Sequence, residues 1–384
     1  MEERRSVHVR KTGFGLHSQR VACCELQSLV SFAPEVSPIT DSVASISASD
    51  ASRSSWRLTI RRLAIVGLIG AATLTMQQWI GDVTIYQPLN RAKAETLHRS
   101  ILANQPPPGL TWDSLGANGT NIRLGAVLIA EGVHRAVGLS IPRSYLLLDT
   151  LYLALGLLLF VRYLSGWFRD EYVLIGTLYF IGVLPLTFFL QSYHPWDRLA
   201  LVFWLLLLLA LRAERMLIFA VLLPLSVAIK YDSVLLPGLY FLANVKPSSW
   251  RRTTLITAGL FVLSFGTYLG LQLLRTGGFA SKSIVEQIGL NFAELRVLLI
   301  WYPPLLAFGV PLLLAVIGFR HANRFIQASA LFGVLLFIPL FLQSMFAEFR
   351  AQVPMLVLIL PCALRGLEVL LAPAAVNVEA TGTT

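Results

Sequence analysis

Residues 297–319 read VLLIWYPPLLAFGVPLLLAVIGF, a stretch of 23 residues without a single charged side chain. An α-helix rises about 1.5 Å per residue, and about 20 apolar residues are needed to cross the roughly 30 Å hydrocarbon core of a bilayer. The stretch is long enough and apolar enough for that purpose. It therefore predicts a transmembrane helix.

The composition of the whole chain agrees with this prediction. Of 384 residues, 55% are hydrophobic and 14% are charged, and the mean hydropathy is +0.67; a soluble protein is usually about one quarter charged. These values exclude a soluble enzyme, a disordered chain and a nucleic-acid-binding domain. The formal charge of +10 does not indicate a nucleic-acid partner, because basic residues in membrane proteins mostly mark cytoplasmic loops. The three cysteines have no metal-ligand spacing.

Apolar runs recur along most of the chain and predict an all-α, polytopic integral membrane bundle of about ten transmembrane helices. Three of the runs have only 13 or 14 residues, so they either recruit flanking polar residues or end below the membrane surface. The ten runs are 63–80, 145–161, 172–190, 199–211, 216–229, 233–245, 253–274, 297–319, 325–346 and 351–371.

The remaining residues predict two tails and one long loop around a bundle at 58–371. Residues 1–57 predict a disordered cytoplasmic tail, since seven of the fifteen residues from 41 to 55 are serine. A second short tail is predicted at 372–384. The long outer loop, 81–144, carries two amphipathic stretches, 91–104 and 122–139, which predict helices lying at the membrane interface.

The distribution of lysine and arginine predicts the orientation. The inner loops that follow the first span hold nine of these residues and the short outer loops hold six, so the positive-inside rule places both termini in the cytoplasm. The predicted location is the plasma membrane, in a bacterium the inner membrane. This assignment depends on 216–229 and 233–245 being two helices, because a single helix over 216–245 would reverse everything after it.

Ionisable residues at the ends of the apolar runs are the candidates for function, since charged groups are costly inside a membrane. No phosphate-binding loop, dinucleotide fingerprint, zinc-helix motif or nucleophile elbow occurs. Under the ten-span topology the candidates lie at the outer side, where they could line a water-filled cavity at lipid-headgroup depth. They are Asp82, Asp149, His194, Asp197, Arg198, Lys230, Asp232, Glu348 and Arg350.

Carboxylates beside lysine and arginine suit transfer from a lipid phosphate, because the cations hold the phosphate while a carboxylate acts as general base or metal ligand. Plainer interpretations also remain. Arg198, Lys230 and Arg350 could simply extend to the interface. The pairs Asp197–Arg198 and Glu348–Arg350 could be structural ion pairs.

The layout resembles the GT-C superfamily of integral membrane glycosyltransferases. It shares a first span, an aspartate directly after it (Asp82), a long outer loop with interfacial helices, and many spans of unequal length. The segments 194–198, 230–232 and 348–350 also look like outer-loop motifs of bacterial proteins of surface-polysaccharide assembly. The resemblance covers about residues 58–371 and lies in layout only. Asp82 is not part of an acidic pair, and no large soluble domain follows the spans.

The resemblance implies transfer of a sugar from a polyprenyl-phosphate carrier to an envelope glycan or lipid acceptor at the outer face. It makes Asp82 the general base, with Asp113 as alternate. Arg198, Lys230 and Arg350 would hold the donor phosphate. The residues that would orient donor and cations are His194, Asp197, Asp232 and Glu348. No cofactor is certain, and a divalent cation stays open. The partners would be the lipid-linked sugar, its acceptor and the bilayer, without nucleic acid.

Two other functions remain open from the sequence. A transporter or flippase for a lipid-linked glycan would use the same cations but would need polar residues at several depths of the bilayer. A non-catalytic membrane subunit of a polysaccharide assembly complex would need packing motifs and no recessed ionisable cluster.

Overall fold

The structure is a computed structural model, and it describes residues 65–73, 87–106, 123–188, 196–276, 284–343, 346 and 348–372. Within these ranges the chain is all helical and forms no strand. The tail predicted at 1–57 lies outside the described residues, and so does the C-terminal tail beyond Ala372. The predicted fold class, a helical bundle, is therefore confirmed for the described part of the chain.

Fourteen α-helical segments are described, together with two short 3₁₀ helices, Leu184–Phe188 and Tyr231–Leu235. The α-helices are α1 (65–73), α2 (Gln87–Ala103), α3 (Leu124–Val137), α4 (Ile141–Leu164), α5 (Asp170–Val183), α6 (Asp197–Arg212), α7 (Met216–Ile229), α8 (Leu236–Asn244), α9 (Trp250–Thr276), α10 (Ile284–Glu294), α11 (Leu298–Phe319), α12 (Arg324–Leu335), α13 (Phe337–Gln343) and α14 (Phe349–Leu371).

Six helical segments of the described chain are long and apolar enough to cross a membrane, which makes this a multi-pass membrane protein. They agree with six of the ten predicted spans. The four other predicted runs correspond to α1, α6, α7 and α8, which are shorter in the described residues. The six segments are Ile141–Leu164, Asp170–Thr187, Trp250–Arg275, Leu298–Phe319, Arg324–Leu342 and Phe349–Leu371.

Helix α14 is the centre of the bundle. In the apolar stretch of α14, 72% of the residues are buried, against 17% in α9 and 28% in α11. Many apolar side chains of α9 and α11 face outward, as lipid-contacting residues do. Two glycines allow α14 and α11 to approach backbone to backbone. A Cβ on Gly366 would overlap the carbonyl oxygen of Leu314, and one on Gly318 would overlap that of Cys362.

Helices α6 and α7 form an antiparallel hairpin that defines two ends of the bundle. At one end, here called the Asp197 end, the first residue of α6 contacts Lys230, which directly follows α7. At the other, the Arg212 end, the last residue of α6 donates a hydrogen bond to the carbonyl oxygen of Tyr163 at the end of α4. Arg212 also lies over the ring of Trp167, which stacks on Phe325 at the start of α12.

After Lys230 the chain turns back towards the Arg212 end. Leu235 lines the same cavity as Leu336, which lies at the end of α12. Three residues later, a Cβ on Gly238 would contact Phe332, which is closer to the start of α12. The chain after Lys230 therefore runs along α12 towards the start of that helix. Ser264 of α9 also donates a hydrogen bond to the carbonyl oxygen of Val234. Segments 216–229 and 231–244 are thus two antiparallel pieces and not one continuous helix.

Helices α2 and α3, which belong to the long loop at 81–144, pack on the Asp197 end. Their predicted positions, 91–104 and 122–139, agree with the structure. The structure adds one feature to the prediction, because α2 and α3 also pack against other helices of the bundle. Ile101 and Val127 are buried in one cluster with Trp196, Leu199 and Ile229, so the apolar faces of α2 and α3 cover the ends of α6 and α7.

Candidate functional site

Five of the predicted site residues meet at the Asp197 end. Each stands at a point where an apolar helix begins or ends, which is where charged residues are least costly. Asp197 is the first residue of α6, Lys230 follows α7 in an extended conformation, and Asp232 lies in the 3₁₀ helix. Glu348 immediately precedes α14, and Arg350 is in that helix's first turn. We call these five residues the ionic cluster.

Asp197 is the centre of the ionic cluster. Its Oδ1 lies 3.3 Å from Nζ of Lys230, and its Oδ2 lies 3.1 Å from Nη1 of Arg350. Each cation has a second acid partner. Nζ of Lys230 is 2.9 Å from Oδ2 of Asp232, and Nη2 of Arg350 is 2.7 Å from Oε2 of Glu348. The cluster thus links the α6–α7 hairpin to the central helix α14.

The cations of the ionic cluster are more deeply buried than its acids. The side chains of Lys230 and Arg350 are 6% and 8% exposed, whereas the three carboxylates are 15% to 25% exposed. Burial alone would lower the pKa of Lys230, but the nearby carboxylates of Asp197 and Asp232 outweigh that effect and raise it. The amine therefore stays protonated, and the carboxylates are the groups that a ligand reaches most easily.

Arg198 lies beside the ionic cluster and is also buried. Its Nη2 lies 3.4 Å from the hydroxyl of Thr187, to which it donates a hydrogen bond. Asp149 of α4 is buried as well and interacts electrostatically with Arg198 and Asp197. The predicted convergence of these charged groups at one end of the bundle therefore extends to Arg198 and Asp149.

An apolar cavity of about 360 Å³ adjoins the ionic cluster. Asp232 is the charged residue in its wall, and Tyr231 and Tyr268 are its polar aromatic neighbours. Ala351 and Pro354, which follow Arg350 on α14, close another side. The volume falls in the range of small-molecule sites, roughly 300–1,000 Å³. The cavity walls also include Trp204, Val234, Leu235, Phe261, Phe265, Leu336, Pro339 and Leu340.

Arg123 belongs to this end of the bundle, although it was not among the residues singled out from the sequence. It precedes α3, is 8% exposed, and places its guanidinium carbon 4.5 Å from the ring centroid of Trp196 and 5.6 Å from that of Tyr231. An arginine before an apolar run reads as an ordinary interface residue. The aromatic partners come from distant parts of the sequence, so no local signal identifies it.

A second polar group lies where α2, α3 and α4 meet. Nδ1 of His98 is 2.8 Å from the hydroxyl of Tyr145, and its Nε2 is 3.0 Å from Oε2 of Glu131. Arg135 also donates a hydrogen bond to Glu131. The hydrogen bonds from His98 and Arg135 lower the pKa of Glu131, which keeps this carboxylate ionised. The group joins α2, α3 and α4 and was not predicted.

Three predicted site residues, Asp82, Asp113 and His194, lie outside the described residues. Among the residues that are described, no group of three or more histidine, cysteine, aspartate or glutamate side chains could hold a metal ion. The described site can therefore offer carboxylates as hydrogen-bond acceptors, buried cations that pair with them, and an apolar cavity for a chain or ring.

Fold and site together define a multi-pass helical membrane protein with an ionic cluster beside an apolar cavity at one end of the bundle. Comparison of this chain with protein-family models, characterised proteins and solved structures finds no match.

Proposed function

We propose that this protein is a membrane glycosyltransferase. It transfers a sugar from a polyprenyl-phosphate carrier to an envelope glycan or lipid acceptor. One observation supports this above all, namely the contact of a charged cluster with an apolar cavity in a membrane-spanning bundle. A lipid phosphate has the same two parts, a charged head and an apolar chain. The cavity would take the part of the chain nearest the phosphate.

The proposal includes the ten-span topology, with the Asp197 end at the outer face and both termini in the cytoplasm. The antiparallel arrangement of 216–229 and 231–244 supports it, since a single helix there would reverse the later spans. The loop at the Arg212 end between α11 and α12 carries Arg320 and Arg324. Basic loops favour the cytoplasmic side.

The residues of the site divide into three roles in this proposal. Asp82 is the general base, as the GT-C resemblance implies, and Asp113 is its alternate. Asp197, Asp232 and Glu348, together with His194, orient the reacting groups. Lys230 and Arg350 lie beneath the carboxylates that they fix and, together with Arg198, contribute a positive electrostatic field at the donor phosphate.

The decisive experiment compares Asp82→Asn with the unchanged protein in envelope membrane vesicles that retain the native glycan and lipid acceptors and are supplied with polyprenyl-phosphate sugars. Release of polyprenyl phosphate should fall by about 10²- to 10⁴-fold, because a positioned general base contributes about that much to the rate. Donor binding should persist, since the substitution preserves size and most hydrogen bonding. Asp170→Asn, at the start of α5 near the Arg212 end, is the matched control and should keep normal activity.

Near-normal turnover of Asp82→Asn would refute the catalytic assignment. Movement of the intact lipid-linked sugar across the bilayer without sugar release would instead identify a flippase. If neither reaction occurs and the carrier still binds, the subunit interpretation gains support.

A further inference from the structure

Arg123 is a buried cation without an acid partner in the part of the chain that the structure describes. No carboxylate there lies within ion-pair distance of it, and its Nε makes no hydrogen bond. Arginine does not lose its proton in proteins, and an unpaired buried charge is costly. The rings of Trp196 and Tyr231 offset part of this cost through cation–π contacts. They leave the Nε of the guanidinium without a hydrogen-bond acceptor among the described residues.

The other buried cations of the Asp197 end differ from Arg123 in this respect. Lys230 and Arg350 each contact two carboxylates, and Arg198 interacts with Asp149. A ligand anion that approached Lys230 or Arg350 would therefore compete with acids already in place. At Arg123 it would supply the missing partner.

The surroundings of Arg123 suit an anion. Arg123 is the N-cap residue of α3, a helix of 14 residues, and its own side chain makes no capping hydrogen bond to the N–H groups of the first turn. Such a helix end attracts negative charge and donates hydrogen bonds to it. Tyr231, over whose ring Arg123 lies, also lines the apolar cavity. An anion bound at Arg123 would thus sit next to the cavity that receives an apolar chain.

We propose that Arg123 is the principal binding group for a phosphate-class oxyanion carried by an amphiphile whose chain lies in the adjacent cavity. The planar guanidinium matches two phosphate oxygens at once, which a lysine does not do. The inference rests on the proposed function for the identity of the amphiphile as the sugar donor. It assigns to Arg123, a residue of the outer loop, the contact that the sequence assigned to Arg198, Lys230 and Arg350.

The test measures dissociation constants of the purified full-length protein in nanodiscs for three probes. These are a long-chain polyprenyl phosphate, the matching polyprenol without phosphate, and inorganic phosphate. Arg123→Gln should weaken binding of polyprenyl phosphate by about ten- to a hundred-fold, the effect of losing a hydrogen bond to a charged group. Polyprenol binding should not change. Arg123→Lys keeps the charge but lacks the planar guanidinium. Its dissociation constant for polyprenyl phosphate should lie between those of the unchanged protein and Arg123→Gln.

Arg99→Gln is the matched control, because Arg99 is an exposed arginine of the neighbouring helix α2. It should leave all three constants unchanged. Equal weakening of polyprenyl phosphate and polyprenol by Arg123→Gln would overturn the proposal, since Arg123 would then only shape the cavity. Binding of inorganic phosphate as tight as that of the lipid would also overturn it, because the chain would then contribute nothing.

The result is separable from the test of the proposed function. If polyprenyl phosphate binds through Arg123 but no sugar is released, the glycosyltransferase proposal fails and the binding site stands. If sugar transfer occurs but Arg123→Gln leaves the donor affinity unchanged, the Arg123 proposal fails and the glycosyltransferase proposal stands.

Discussion

Removal of the Asp197 carboxylate should destabilise the bundle strongly, because this one side chain joins two buried cations. Its oxygens lie 3.3 Å from Lys230 Nζ and 3.1 Å from Arg350 Nη1. Loss of one partner of a buried ion pair usually costs about 3–5 kcal/mol. Each cation keeps a second carboxylate here, so we expect the lower end, about 3 kcal/mol, for Asp197→Ala.

The free energy of unfolding can be measured by titrating the protein in mixed micelles with a denaturing detergent and following helicity by circular dichroism. Glu95→Ala is the control, since Glu95 and Arg99 form an exposed pair whose side chains are 38% and 71% accessible. Such pairs contribute about 0–1 kcal/mol. An Asp197→Ala protein no less stable than Glu95→Ala would refute the argument that the cluster is buried and connected.

A double variant separates attraction from desolvation. Asp197→Ala with Arg350→Met leaves Lys230 paired with Asp232, and the remaining acid, Glu348, is the most exposed of the three. The double variant should therefore cost less than the sum of the two single variants, by about 1–3 kcal/mol. Additive costs would mean that Asp197 and Arg350 do not interact.

Two further outcomes follow from contacts elsewhere in the fold. Hydrogen bonds from His98 and Arg135 lower the pKa of Glu131 below its ordinary value of 4.5. The stabilisation by this carboxylate is therefore present above pH 4.5 and is lost as the pH falls through the lower pKa of the folded state. The difference in thermal stability between the unchanged protein and Glu131→Gln should thus shrink as the pH falls below about 4.5; a difference that persists in acid contradicts this. Gly366→Ala should cost about 1–3 kcal/mol in the micelle titration because its Cβ meets the α11 backbone, whereas Gly259→Ala, with open space around it, should cost nothing; equal effects would contradict the packing.

The helical class and most helix positions could be predicted from the sequence because membrane insertion leaves a signal that needs no tertiary information. An uncharged stretch such as 297–319 is readable residue by residue, and α11 covers almost the same range. Helix α10 was not predicted. It covers only 284–294 and is too short to be recognised as a membrane span. Without that length criterion, its exposed apolar residues Ile284, Val285 and Leu290 cannot be distinguished from loop residues in the sequence.

The candidate site could be predicted as a set of residues but not as a geometry. Asp197, Lys230 and Arg350 drew attention because each charge interrupts or borders an apolar run, and that property is local. Their pairing is not local, since α6, α7 and α14 must pack before Asp197 can lie between the two cations. Arg123 shows the same limit more sharply, because its distinguishing feature is a stack on Trp196, which is remote in sequence.

Burial of the charges of the ionic cluster carries a desolvation cost, so holding the helices together does not by itself explain why the cluster is there. Apolar residues of similar volume often stabilise a buried site as well as a buried ion pair does, or better. The Arg212 end and the α11–α14 contact hold without such a cluster, through stacked rings and glycine packing. At the Asp197 end the carboxylates stay partly accessible, the cations lie beneath them, and an apolar cavity adjoins Asp232. Accessible acids fixed by buried cations are prepared to meet a polar ligand, which a purely structural pair need not be. This argument favours a binding or catalytic role for the charged end over a scaffold.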